Sequence, residues 1–316
     1  MTSTTPCAPP SPSFSGASDM NAPLIAVPDR TKFIGGSDVA AILGVSPWRN
    51  VVDLWMDKIT PRREDGHNAA AKRRGSRLEP YILDMIREEH GLNIVAANER
   101  YIDSELPFLA AEIDAEYADG DARENIEIKT VHPFKSKEWG EHETDELPLH
   151  YVAQVQHGLG VTGRNICRVF ALIGDDLKPY TVHRDDELIS VMRERATEFW
   201  TRYVVPKVQP PIDYEAKNVL DTIKRLYPGS DGTVLDATAM HEHWRAVFET
   251  AKTMQAHYEA LQEGARAHLL AEMGKAAAIR FDDGQAFIRK EISKKAYSVD
   301  YPASKYIDFR LGKFKE

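Results

Sequence analysis

Between Thr31 and about Val205 the apolar positions switch repeatedly between helical spacing and strand-like alternation. That pattern predicts an α/β domain with a central mixed sheet flanked by helices. Ser37–Leu43 and Pro47–Ile59 read as short helices, the second opened by Ser46 as N-cap with Pro47 at the first helical position. A helix through Leu78–His90 ends at Gly91. Phe108–Tyr117 and Asn125–Val131 read as strands of a hairpin joined across Asp119-Gly120-Asp121. Leu149–Leu159 is helical, Asn165–Ile173 and Tyr180–His183 are strands, and Asp185–Tyr203 is an amphipathic helix.

The flanks differ in character. Residues 1–28 are rich in Pro, Ser, Thr and Ala and offer little to a core, so they read as a disordered tail. Pro206, Pro210 and Pro211 start a linker drawn over residues 206–235, with a second break at Pro228-Gly229. Beyond it, Met240, Trp244, Val247, Ala251, Met254, Tyr258, Leu261 and Ala265 alternate spacings of four and three. This heptad seam predicts one long helix, roughly 54 Å in length, packed against another helix or another subunit. Ala278–Ile288 reads as a second hairpin around Asp282-Asp283-Gly284, and Lys294, Lys295, Lys305, Arg310, Lys313 and Lys315 make the end basic. The expected organisation is a tail at 1–28, an α/β domain at 29–205, the linker, and a helical and β-hairpin extension at 236–316.

Composition narrows the class only slightly. A chain of 316 residues with 42% hydrophobic content can bury a substantial core. No apolar run approaches the roughly 20 residues of a membrane span, and no secretory signal is visible. Two cysteines, Cys7 and Cys167, cannot build a disulfide framework or a four-thiolate metal site, so a cytoplasmic protein is expected. With 40 basic and 49 acidic residues the net charge is −9. That argues against a protein that coats nucleic acid, whose binding rests on neutralising phosphates, but not against an enzyme with a local basic groove.

The first hairpin carries the chemistry. Side chains alternate along a strand, so Glu127 and Lys129 share a face while Ile126 and Ile128 take the other. Asp114, opposite Ile113 on the preceding strand, is expected beside them. Hard carboxylate oxygens suit Mg²⁺, and a neighbouring lysine can orient water for phosphodiester hydrolysis. Taken alone, a Glu-x-Lys strand is more often an ordinary solvated hairpin. Three further features add weight. Glu79, in Gly75-Ser-Arg-Leu-Glu79-Pro80, is a candidate third carboxylate or else a first-turn acid favoured by the helix dipole. Gln154 shares a helix face with Tyr151 and offers an amide. Arg30 precedes Phe33-Ile-Gly35-Gly36-Ser37-Asp38, which reads as a phosphate cradle or as a simple helix cap. Lys72, Arg73, Arg74 and Arg77 form a basic cluster beside Glu79, a DNA contact or a solvated helix start.

The order of these features resembles the YqaJ-type viral recombinases, which belong with the alkaline exonuclease of phage lambda in the PD-(D/E)xK nuclease superfamily. The resemblance spans about residues 29–205 and rests on Gly35-Gly-Ser-Asp38, Gly75…Glu79, Pro107-Phe108…Asp114, Ile126-Glu-Ile-Lys129 and Tyr151…Gln154-Val-Gln156. Ile113 stands where that family often has a proline, a departure that touches recognition rather than chemistry. The resemblance implies a restriction-endonuclease-like core and a Mg²⁺-dependent 5′-to-3′ exonuclease, with Mn²⁺ as a substitute. It implies linear double-stranded DNA as substrate, with 3′ single strands left for a single-strand annealing protein. By residue, it implies metal ligation by Asp114, Glu127 and the Ile128 carbonyl, and a water-orienting Lys129. Glu79 and Gln154 complete the site, and Arg30 and Ser37 hold the 5′-phosphate. A homo-oligomer is implied too, since lambda-type relatives form rings, as is a phage or prophage origin in a bacterial host. An endonuclease on the same fold and a non-catalytic DNA-binding scaffold are the competing expectations.

Overall fold

A computed structural model describes residues 29–60, 69–293 and 295. The tail expected at 1–28 lies outside the described residues, as do Lys294, Lys305, Arg310, Lys313 and Lys315 of the basic end. The chain divides into two compact units, the first ending at Leu226 and the second beginning at Tyr227.

The first unit is built on a five-stranded sheet in the order β1-β2-β3-β4-β5. Its strands are β1 (Ile94–Ile102), β2 (Ala110–Asp119), β3 (Ala122–Val131), β4 (Ile166–Ile173) and β5 (Asp176–His183). All neighbours are antiparallel except β3 and β4. A parallel pair needs a crossover, and helix α4 (Leu149–Thr162) provides it. β2 turns into β3 through Gly120, whose φ of +58° suits glycine. Ile126, Ile128 and Phe170 pack on one face against Ile82, Leu83 and Ile86 of α3 (Ala69–His90). Val169, Ala171 and Tyr180 join a second cluster with α1 (Gly36–Ile42), α2 (Val51–Ile59), α4 and α5 (Asp186–Phe199). With both faces covered, β3 is buried through its middle, as its Ile-Glu-Ile centre requires.

Four local expectations change. α2 starts at Val51, not Pro47, because the Asn50 side chain accepts from the Val52 and Asp53 amides, 3.0 Å each, and Asp53 returns a bond to the Asn50 amide. Ser46 instead pins the preceding turn, accepting from the Trp48 and Arg49 amides. α3 begins at Ala69 and continues through Pro80, so Glu79 lies well inside the helix rather than in its first turn. β1 was not anticipated: as an edge strand it is mostly exposed and shows no apolar alternation. Finally, residues 206–226, drawn as the start of a linker, include α6 (Val219–Leu226), which docks on α2 through polar groups. Thr222 Oγ1 and Asn218 Nδ2 donate to Asp53 Oδ2 at 2.9 and 2.7 Å, and Arg225 pairs with Asp57.

In the second unit, α7 (Ala239–Met273) has 35 residues and runs about 52 Å. Its seam residues Met240, Trp244, Val247, Met254, Tyr258 and Leu261 are exposed. A hairpin of β6 (Ala278–Arg280) and β7 (Ala286–Ile288) turns through Gly284. No helix among the described residues is long and apolar enough to cross a membrane.

Candidate active site

The β2–β3 ladder is paired from Asp119↔Ala122 to Ala115↔Ile126 and then opens. At this fork Asp114 Oδ2 accepts from the Ile128 amide at 2.7 Å. Asp114 thus reaches β3 at its backbone, rather than only by sharing a side-chain face with Glu127. The N–H and C=O of one strand residue point to the same edge, so the Ile128 carbonyl also faces the fork. Glu127 and Lys129 lie on one strand face, their side chains 7% and 16% exposed, and form an ion pair. Gln154 of α4 donates its Nε2 to the same Glu127 Oε1. Tyr151, one helical turn earlier, places its ring 5.2 Å from the Lys129 ammonium. The structure therefore brings Asp114, Glu127, Lys129, Ile128 and Gln154 together.

Electrostatics follow from crowding carboxylates away from water. Burial, then the Asp114 charge, pushes the Glu127 carboxyl up to about 7 against the opposing pull of Lys129. Burial also raises Asp114. Lys129 moves the other way: burial lowers it, but Glu127 and Asp114 outweigh burial and hold it above the usual lysine range. It stays protonated at any working pH. Glu79 belongs to the same field, raised by burial and by Asp114.

Glu79 also accepts a hydrogen bond from Asn98, a residue the sequence reading missed. Asn98 sits opposite Asp114 on β1, between the pairs Ala97↔Ala115 and Glu99↔Ile113, with φ +56°. Asparagine tolerates this left-handed region better than most residues, which is the one signal the sequence held. β1 thus contributes to the fork although it carries no carboxylate there.

Arg30 and Ser37 also meet. Arg30 Nη2 donates to Ser37 Oγ at 3.2 Å, and its Nη1 lies 3.3 Å from Glu112. Beneath them Asp38 is 1% exposed and accepts from the Gly35 amide, Arg49 and Lys58. Burial raises Asp38, but Lys58, Arg49 and Arg30 outweigh it and hold the carboxyl well below the usual range. Breaking such a buried pair from one side typically costs about 3–5 kcal/mol, so Asp38 and Lys58 act as one structural unit. Gly36 lets α1 approach α4 here: a Cβ would stand 2.9 Å from the Gln154 side chain. The cradle and the fork are therefore in contact through Gln154. Arg74 and Arg77 lie exposed on α3 in the turns before Glu79.

The donor chemistry fits a hard divalent cation. Two carboxylates largely removed from water, the Asp114 charge raising the proton affinity of Glu127, with a carbonyl facing them, form an oxygen set of the kind Mg²⁺ takes. Among the described residues no three His, Cys, Asp or Glu side chains meet at metal-ligand spacing. A cation held here would take Asp114, Glu127 and the Ile128 carbonyl, with Glu79 in the same electrostatic field.

Residues 27–165 match the YqaJ-like viral recombinase domain family. The chain is 30% identical over 214 residues to YqaJ of Bacillus subtilis (strain 168), covering 67% of this chain and 66% of that protein. It therefore spans just under two thirds of that relative's length. Among solved structures it is similar to an alkaline exonuclease (LHK-Exo) from Laribacter hongkongensis, at 20% identity and a TM-score of 0.46, over 57% of this chain and 91% of that one. It is also similar to a phage-related exonuclease from Haemophilus somnus 129PT, at 15% identity and a TM-score of 0.41, over 55% of this chain and 96% of that one.

Proposed function

The chain belongs to the YqaJ-like viral recombinase family, and from that premise we propose that it is a Mg²⁺-dependent deoxyribonuclease. On this reading it digests linear double-stranded DNA 5′ to 3′ and leaves 3′ single strands for an annealing protein. One observation carries the reading: Asp114, Glu127, Lys129 and Gln154 converge at the fork between β2 and β3. An ordinary hairpin has no use for a buried carboxylate beside a second, half-buried one, a largely shielded ammonium and an amide at one opening. Digestion of linear but not covalently closed duplex in Mg²⁺ tests it.

Each residue has a part. Asp114, Glu127 and the Ile128 carbonyl hold Mg²⁺, or Mn²⁺ in its place. When bound, the cation neutralises phosphate charge and makes water in the site more acidic. Gln154 and Lys129 fix the Glu127 carboxylate by donating to one of its oxygens. Lys129, kept protonated by its neighbours, orients the attacking water and steadies charge growing on the phosphate. Glu79, aimed by Asn98, adds a third acidic group. Arg30 and Ser37 hold the terminal 5′-phosphate, and Arg74 and Arg77 neutralise backbone phosphates. The exposed seam of α7 is assigned to a homo-oligomer, a trimer in the ring-forming pattern.

One observation favours a second reading. Arg30 is already engaged by Glu112 and by the Asp38 cluster. If its role is structural, the same fork serves an endonuclease without end recognition.

Metal binding has a readout independent of cleavage. Because the Glu127 carboxyl titrates near 7, protons compete with a cation below that pH. Ca²⁺ or Mn²⁺ is therefore expected to raise the melting temperature more at pH 8 than at pH 6. Glu127→Gln should remove most of that shift and its pH dependence. No shift at either pH would overturn the metal assignment.

A further inference from the structure

Trp48 is 57% exposed, although burying an indole is strongly favourable. Its backbone is well anchored: Ser46 Oγ accepts from the Trp48 and Arg49 amides, and the Val45 and Ser46 amides both donate to the Ala40 carbonyl. The next residue, Arg49, ties the loop to the start of α1 by donating to the Ser37 carbonyl at 3.2 Å and by pairing with Asp38. The indole is thus presented by a fixed loop rather than left on a loose one.

Its ring contacts lead to the fork. The indole meets His150 edge-on, with centroids 4.6 Å apart and planes at 82°. His150 lies 4.1 Å from the Tyr151 ring, and the indole itself lies 6.2 Å from it. Tyr151 in turn faces the Lys129 ammonium at 5.2 Å. Leu149, the first residue of α4 and next to His150 in the chain, is 70% exposed. Partial burial lowers His150, so its imidazole is neutral at physiological pH and offers a π-face rather than a charge for phosphate.

We propose that Trp48, with His150 beside it, is a stacking platform for an unpaired nucleobase adjoining the phosphate held at the Asp114–Glu127 fork. This rests on the nuclease reading and extends it to the base side of the strand. The arrangement suits an unpaired base: a flat apolar ring tolerates any base, whereas a duplex buries its base faces within its own stack. It also sits between the two phosphate-facing features, the Ser37 cradle through Arg49 and the fork through Tyr151. A strand whose phosphates follow those features passes its bases over the indole.

The test uses the full chain in EDTA and a duplex carrying a three-nucleotide 5′ overhang with 2-aminopurine in the overhang. The parent protein is expected to bind it and quench the 2-aminopurine by stacking. Trp48→Ala should weaken binding about tenfold and lose the quenching, while Trp48→Phe retains most of both. A fully paired blunt duplex should lose far less affinity with Trp48→Ala, which separates base stacking from general binding. Circular dichroism of both variants checks the fold, which an exposed side chain should not disturb. Equal binding and quenching by the parent and Trp48→Ala would overturn the platform and leave the nuclease reading standing. Failure of the parent to bind DNA at all would overturn both.

Discussion

Lys129→Ala should lower the rate of DNA hydrolysis by at least about 10²–10³-fold, the range seen when a single charge-stabilising donor is removed from a preorganised site. The reason is local. Lys129 is the cation paired with Glu127 at the fork, and no other basic group makes a hydrogen bond or ion pair with Glu127 or Asp114 among the described residues. The fold should survive the loss. With the ammonium gone, the pull that opposes burial disappears, and Glu127, already near 7, becomes neutral instead of remaining an uncompensated charge. Glu127→Ala should be as severe, because it removes a proposed metal ligand together with the group that fixes Lys129. Melting curves beside the cleavage assay separate loss of chemistry from loss of structure. Normal turnover by Lys129→Ala would end its assignment.

Preference for a 5′-phosphorylated end should be about ten- to a hundredfold over a 5′-hydroxyl end. A hydrogen bond to a charged group contributes roughly 1.5–3 kcal/mol, and about 1.4 kcal/mol is tenfold. Arg30 and Ser37 are already 3.2 Å apart, so a phosphate oxygen can take both donors without moving α1. Glu112, 3.3 Å from Arg30, is exposed and can yield its place. Arg30→Ala should erase the preference by slowing the phosphorylated substrate. Ser37→Ala, which leaves the Asp38 cluster intact, should reduce it by a smaller factor. Strand-specific end-labelled degradation reads both. Equal rates on the two ends by the parent protein would return Arg30 to its structural role and favour the endonuclease.

Several parts of this architecture were legible in residues alone. Ile126 and Ile128 against Glu127 and Lys129 gave β3 its period of two, and Gly120 marked the turn. The seam from Met240 to Ala265 announced α7 nearly to its length. What escaped depended on partners far along the chain. β1 has no periodicity because one edge of a sheet needs little burial. Asp38 looked like a cap, and only the fold brings Lys58 to neutralise it. α6 docks by Asn218, Thr222 and Arg225 on Asp53 and Asp57, a polar match that no apolar pattern reports. Pro47 and Ser46 suggested a helix start that Asn50 provides with a better cap. At the candidate site the residue types were readable, but the opening of the ladder at Asp114 was not. The β2–β3 pairing stops at Ala115↔Ile126 without any mark in the residue pattern, and Asn98 joins the fork by backbone conformation rather than by pattern.

The most direct measurement is digestion of one plasmid, linearised or covalently closed, by the purified chain in Mg²⁺, with Lys129→Ala run in parallel. The linear form should be degraded from its 5′ ends to leave 3′ single strands, the closed form should persist, and Lys129→Ala should leave both intact. Persistence of the linear DNA, or equal degradation by Lys129→Ala, would contradict an active site built on Asp114, Glu127 and Lys129.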